Sequence, residues 1–200
     1  GELYINNISE LNSLPETQQE LTNIGNFFED STLFFQDQAL ESSLYLSTVS
    51  DSNILAFATH AVKGGNEFFN DRGLVLTPGE SKNFEKDGFL SSFEIQLLNL
   101  KNNPAVLITA CNTIESPYFQ AEPYAGIAGS FMEAGAGSVL LSLWDLDSMS
   151  AKEFNESLFT GMKNNNFEIR DAAQASMISM INSENYFHPH YWAPYVYLGR

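Results

Sequence analysis

Cysteine occurs once in these 200 residues, at Cys111. A single thiol excludes an internal disulfide framework and any zinc site built from several thiolates. An unpaired thiol is more comfortable in a reducing compartment, which points to the cytoplasm. Basic residues are scarce as well: nine Lys and Arg stand against twenty-five Asp and Glu, a formal charge of −16. Binding to nucleic acid or anionic lipid relies on clustered Lys and Arg, so direct contact with either is not expected. The acids are scattered rather than blocked and read as a well-solvated surface. No apolar run approaches a membrane span, and no secretory leader is visible, although the chain opens as if inside a longer protein. There is no Gly-x-Ser-x-Gly elbow and no phosphate loop ending in Gly-Lys-Ser/Thr. Gly135-Ala-Gly137 resembles part of a dinucleotide loop, but it precedes an expected strand instead of following one. Internal repeats, low-complexity tracts and linkers are missing too, and nothing calls for a cofactor or a metal. One domain, residues 1–200, cut from a longer chain, is the expectation.

What is present is organised around Pro104-Ala-Val-Leu-Ile-Thr-Ala-Cys111-Asn-Thr113. Ala105 to Ile108 form a continuous, partly β-branched apolar run, which reads as a central strand covered on both sides. It stops at the only thiol, before turn-forming Asn112 and Thr113. A second apolar run, Asn53 to Thr59, ends in His60. In open α/β sheets chemistry gathers outside the carboxyl ends of strands.

The rest of the chain alternates. Leu3–Ile5 and Thr32–Phe35 read as short strands. Ser13 and Glu16 have capping-box spacing before a helix reaching about Phe28, and Leu40, Leu44 and Thr48 suggest another helix. Residues 61–88 are rich in turn signals, with Leu74–Leu76 as one arm of a hairpin. Ser91 and Glu94 open a helix with Phe93, Leu97 and Leu100 on one face. After a polar loop, Ile127, Phe131 and Ala134 mark a helix with Gly126 and Gly129 as close-packing positions. Ser138–Trp144 is the next strand, and Asp145 and Asp147 follow it. Ser150 and Glu153 cap a helix carrying Phe154, Leu158 and Met162. Ile169, Ala172, Ala173, Ser176, Met177, Met180 and Ile181 give the cleanest helical period, and Tyr195–Leu198 is a last strand. Such alternation indicates one doubly wound, mostly parallel α/β sheet of about six strands with helices on both faces.

Several landmarks run in order along the chain: Leu14-Pro-Glu-Thr17 with Glu20, Phe57-Ala-Thr-His60, Gly73–Leu76, Asp87-Gly-Phe-Leu90 with Glu94-Ile95, Thr109-Ala-Cys-Asn-Thr113, Phe131–Ala136, Leu143-Trp144 with Asp147, and Tyr191-Trp-Ala193 before Gly199. Any one is weak, but the ordered set resembles a CHAT domain, the caspase-like module found with tetratricopeptide repeats and related to separase, gingipains and caspases. The resemblance implies a caspase-like fold and a cysteine peptidase, with His60 and Cys111 on the catalytic positions. It also implies a protein substrate and a regulatory protein or tetratricopeptide-repeat domain as partner. Some relatives act in bacterial defence, so a partner-triggered role of that kind is implied as well.

The chemistry agrees with that assignment. Neighbouring parallel strands deliver their ends to one sheet edge, so His60 and Cys111 can converge although fifty-one positions apart. A nearby imidazolium raises the thiolate fraction of a cysteine. Cys111 would attack the scissile carbonyl, His60 would protonate the departing amine, and the backbone N–H groups of Cys111 and Ala61 would hold the oxyanion. Where the family often has Gly after the His, Ala61 keeps the N–H. Asp145 and Asp147 stand where the family builds its pocket for the residue before the cut, which suggests a basic residue there; as turn and cap residues they would need no such role. His188 and His190 have chelating spacing, but a proline lies between them, and packing beside Trp192 is the plainer reading. The competing class is a non-catalytic caspase-like scaffold for protein–protein contact.

Overall fold

The computed structural model describes residues 8, 10–62, 64, 71–79, 87–109, 122–144, 146–165 and 168–199. The strand expected at Leu3–Ile5 lies outside them. Helix α1 (Pro15–Gly25) begins with a proline in its first turn, where the missing N–H is tolerated. Leu14, not Ser13, is the residue before it, and no side chain caps it, so the expected capping box is not formed.

The next segment departs from expectation. Thr32–Phe35 is not a strand: Gln36 takes a φ of 47°, which ends the extended run, and a 3₁₀ turn follows over Gln36–Gln38. The helix expected from Leu40 is split into a 3₁₀ turn, Glu41–Tyr45, and the single turn α2 (Ser47–Ser50). Serine hydroxyls compete with helical bonding here: Ser43 Oγ donates to the Gln38 carbonyl and Ser50 Oγ to that of Ser47.

Strand β1 (Ile54–Phe57) is followed by the short strands β2 (Ala61–Val62), β3 (Gly73–Val75) and β4 (Phe89–Ser91), then by α3 (Ser92–Gln96). The Ser91–Glu94 capping box forms in both directions. Its carboxyl end is buried, and this fixes which side of α3 turns inward. Ile95 and Leu98 are 0 % and 4 % exposed, whereas Phe93 and Leu97 are 61 % and 60 % exposed. The buried stripe is therefore not the expected one, of which only Leu100 is inside.

The chain continues through β5 (Ala105–Ile108), α4 (Glu122–Glu133), β6 (Ser138–Ser142), α5 (Ser148–Asn165), α6 (Ile169–Ile181), α7 (Pro189–Trp192) and β7 (Tyr195–Gly199). Gly135 ends α4 in the left-handed region with φ 109°, and an added Cβ would meet the Leu100 carbonyl oxygen at 2.6 Å. Its role is a helix stop. Gly129 has nothing within 4 Å of an added Cβ and is not the close-packing position expected of it.

Among the described residues the strands form two sheets, not one of six: four strands in the order β1-β5-β6-β7, and three in the order β2-β3-β4. In the larger sheet β1, β5 and β6 are parallel and β7 is antiparallel to β6. Strand alternation divides the core. Val106, Ile108, Val139 and Leu141 face a layer with Ile95, Leu98, Ile127 and Phe131 from the α3–α4 side. Leu107 and Leu140 face Ile24, Phe154, Leu158, Ala172, Ala173 and Met180 from α1, α5 and α6. Helices thus cover both faces. No described helix is long and apolar enough to cross a membrane.

Candidate active site

The carboxyl ends of β1 and β5 leave the large sheet side by side. Ile54 lies opposite Ala105 and Phe57 opposite Ile108, so each residue of β1 pairs with the one fifty-one positions later. The Thr109 N–H extends the ladder by donating to the Phe57 carbonyl at 2.9 Å. The same interval separates His60 from Cys111 in the sequence. Cys111 and Asp145 both lie outside the described residues.

His60 is buried, 6 % exposed. Its Nε2 is 2.8 Å from the backbone carbonyl oxygen of Asn12. A carbonyl can only accept, so Nε2 carries the proton, and the hydrogen bond sets the ring's orientation and tautomer. The His60 carbonyl in turn accepts from the Val75 N–H at 2.9 Å, and the Thr59 hydroxyl donates to the Val75 carbonyl. His60 therefore stands where the large sheet hands over to the small one. Ala61 pairs with Leu74 antiparallel. Because the Val75–His60 bond falls one position away, Ala61–Leu74 is a pair that exchanges no hydrogen bonds, and the Ala61 N–H points away from β3.

Asn155, on α5, donates through Nδ2 to Glu20 Oε1 at 2.9 Å, and at the end of β5 the Thr109 hydroxyl donates to the Phe57 carbonyl at 3.4 Å. Burial pushes the Glu20 carboxyl above the ordinary range, against the lowering effect of hydrogen bonding. Tyr195 stacks on Phe154 beneath them, ring centroids 3.5 Å apart, and burial followed by the neighbouring Glu20 raises its phenol far above its usual value.

Against this frame of two parallel strand ends and a backbone-oriented histidine, the family model of the CHAT domain matches residues 6–200. The chain belongs to the CHAT domain family. A search of curated proteins found no match. CHAT domains are related to caspase-like cysteine peptidases and are associated with tetratricopeptide-repeat domains.

In this CHAT domain Asp147 is exposed, and its Oδ1 accepts from the Ser150 N–H at 2.9 Å while its carbonyl accepts from Ser150 Oγ at 2.8 Å. That is an N-cap: α5 starts at Ser148, and Asp147 caps it in place of the expected Ser150–Glu153 pair. Trp144, at the end of β6, donates through Nε1 to the His190 carbonyl at 3.1 Å. His188 Nδ1 accepts from the His190 N–H at 3.2 Å, capping α7, and the His190 ring meets Tyr191 edge-on. Among the described residues there is no group of three His, Cys, Asp or Glu that could hold a metal ion.

Two contributors to the site have no clear signal in the sequence. The Asn12 carbonyl is backbone and has no side-chain signal at all. Glu20 lies within one of the ordered landmarks, but its link to Asn155, 135 positions away, is visible only in the folded chain.

Proposed function

We propose that this CHAT domain is a cysteine endopeptidase, built on a caspase-like, doubly wound sheet, in which Cys111 is the nucleophile and His60 its proton partner. The observation that carries this reading is the β1–β5 register, whose fifty-one-residue interval equals the one between His60 and Cys111. The Cys111 sulfur attacks the scissile carbonyl carbon, the C–N bond breaks, and His60 gives its proton to the departing amine; water then hydrolyses the thioester. With Nε2 bonded to Asn12, Nδ1 is the nitrogen that meets the thiol. The Ala61 N–H, directed away from the β2–β3 ladder, and the Cys111 N–H are the donors for the oxyanion.

Specificity falls to the edge beyond Trp144. Asp145 pairs with a basic residue before the cut, and Asp147, already a helix cap, contributes less. The substrate is a protein, cleaved in the cytoplasm after a regulatory protein or a tetratricopeptide-repeat domain switches the site on, a scheme that suits bacterial defence.

The rate of thiol alkylation as a function of pH tests this. Cys111 is expected to react as a thiolate well below the range of a free cysteine, near pH ~8.5, and His60→Ala is expected to abolish that difference. A second reading, a caspase-like scaffold without catalysis, draws on the burial of His60. An inert thiol in a folded domain, unchanged by His60→Ala, would establish it instead.

A further inference from the structure

We propose that residues 36–46 form a proton-operated strap, closed on the small sheet through Glu41 and lifted when that carboxyl group loses its proton, which opens a groove along β1 that ends at His60. The inference needs neither Cys111 nor catalysis.

The strap is fastened by hydrogen bonds rather than by packing. It contains two 3₁₀ turns, and its only buried residue is an acid, Glu41, at 3 % exposure. Leu40 and Leu44 are half-buried, and Tyr45 and Leu46 are exposed. A segment held by hydrocarbon would bury its leucines instead. The Thr77 N–H and hydroxyl donate to the carbonyls of Ala39 and Gln36, at 2.9 and 2.6 Å. The Gly88 N–H donates to Glu41 Oε1 at 2.5 Å. Gly88 has a φ of 86°, and an added Cβ would meet the Pro78 nitrogen at 2.8 Å, so a glycine is what presents that N–H to the strap. Of these bonds, only the one to Glu41 involves a group that titrates.

Glu41 has acids for neighbours. Asp87, 1 % exposed, takes the next backbone donor, Phe89 N–H, at 2.9 Å, so two carboxyl groups bind consecutive N–H groups. Glu94 of α3, 3 % exposed, holds the capping box at Ser91. Among the described residues these are the two charges that act on Glu41. Arg72, at the head of β3, lies against Gly126 of α4, His60 is bound to the Asn12 carbonyl, and Asp37 and Tyr45 of the strap are exposed. Protonated, Glu41 is a neutral group in a buried place. Ionised, it is a third negative charge out of water, and both desolvation and repulsion drive it towards solvent. Burial first, then Glu94 and Asp87, push its carboxyl up to about 8, which puts the change in the neutral to mildly alkaline range.

The strap is one wall of a groove of about 1090 Å³. Leu40 and Leu44 line it from the strap, Leu55 and Phe57 from β1, and His60 stands at its end. Lifting the strap uncovers the two leucines and widens the approach to the imidazole.

The test follows amide exchange by NMR in the full chain from pH 6 to pH 8, corrected for the intrinsic pH dependence of exchange. The Thr77 and Gly88 N–H groups report the strap, and those of Val106 and Leu140 report global unfolding. The closed form binds the Glu41 proton more tightly than the lifted one, so opening grows as pH rises towards about 8. We expect the protection of Thr77 and Gly88 to fall about 100-fold over this range, up to tenfold per unit, and to stay below that of Val106 and Leu140 throughout. Glu41→Gln should keep it within about threefold. Thr77→Val, which removes a strap bond that does not titrate, should lower Gly88 protection by the same factor at every pH. Binding of the neutral apolar dye Nile red should rise with pH in wild type and not in Glu41→Gln. Protection of Gly88 that is indifferent to pH in wild type, or as pH-dependent in Glu41→Gln, would overturn the proposal. So would Thr77 and Gly88 exchanging at the rate of Val106 and Leu140, since the strap would then open only with the whole domain. An unchanged dye signal would mean that the groove stays closed and would overturn it as well. If Glu41→Gln does not fold, the wild-type slope and its persistence in Thr77→Val decide.

Discussion

In the four-stranded sheet Val106, Leu107, Val139 and Leu140 are at most 1 % exposed, and hydrocarbon lies against both faces. At the β3–β4 end of the three-stranded sheet, three carboxyl groups, Glu41, Asp87 and Glu94, are buried to 3 %, 1 % and 3 % exposure. The contrast follows from strand length. A four- or five-residue strand in the middle of a parallel sheet satisfies its backbone by pairing and can present pure hydrocarbon. Strands of two or three residues leave donors at their ends, and acids collect them. Glu41 Oε1 accepts from the Gly88 N–H at 2.5 Å, Asp87 Oδ1 from Phe89 at 2.9 Å, and Glu94 Oε2 from the N–H and hydroxyl of Ser91. Three like charges so close cannot all persist. Burial first, then the charges of Glu94 and Asp87, push the Glu41 carboxyl up to about 8. One sheet thus depends on volume and the other on a proton.

The largest effect should come from breaking the hydrocarbon side. Leu140 is fully buried among Phe154, Leu158 and Met180, so Leu140→Ala is expected to cost about 3–4 kcal/mol in urea unfolding, transfer and cavity together. The loss should be the same at acid and alkaline pH. A loss that changed with pH would mean that the two sheets do not divide as described.

The acidic side should answer to pH instead. Glu41 binds its proton more tightly folded than unfolded, about 8 against 4.5. Its contribution is therefore complete below the unfolded value and is lost as pH rises through the folded one; the raised Asp87 carboxyl adds in the same direction. Between about pH 6 and pH 9 the domain should lose roughly 2–4 kcal/mol, since a tenfold difference in proton affinity between folded and unfolded chains is worth about 1.4 kcal/mol. Glu41→Gln keeps an acceptor for Gly88 and should flatten this slope, leaving the variant the more stable protein at the alkaline end. Equal slopes in the two proteins would exclude Glu41 as the group responsible.

How far the sequence announced these features follows the same division. The long, regular elements were legible: β5, β6, β7, α5 and the stripe of α6, apart from the exposed Ile181, occur where apolar runs or helical periods put them, because hydrophobic period reports burial directly. The capping box at Ser91 and Glu94 was legible because it is local chemistry at fixed spacing. Thr32–Phe35 was not, since its fate turns on the left-handed Gln36, which no apolar pattern encodes. Nor were the bond of buried Glu41 to the Gly88 N–H and that of Asn155 to Glu20, each of which joins residues more than forty positions apart. At the proposed site, the sequence suggested His60 and Cys111, but not the backbone carbonyl that orients His60.

The smallest effect concerns an acid that is neither buried nor shared. Asp147 is exposed and caps α5, so Asp147→Ala should cost about 1 kcal/mol, and Asp147→Asn only a few tenths, since asparagine caps nearly as well. That modest figure separates capping from recognition. In the proposed function Asp145 meets the basic residue before the cut, and an uncharged side chain would leave its carboxylate desolvated and unpaired, which discriminates strongly. Covalent peptide probes ending in Arg, Asp or Leu, applied to the activated domain, should therefore label best with Arg. The preference should be lost on Asp145→Ala and kept on Asp147→Asn at matched stability. Equal labelling by the Leu probe would remove the basic preference and leave Asp147 with its cap alone. Loss of the preference in Asp147→Asn would mean that one carboxylate serves both the helix and the substrate, and that an exposed acid at the edge of the large sheet carries as much as the buried ones beside the small sheet.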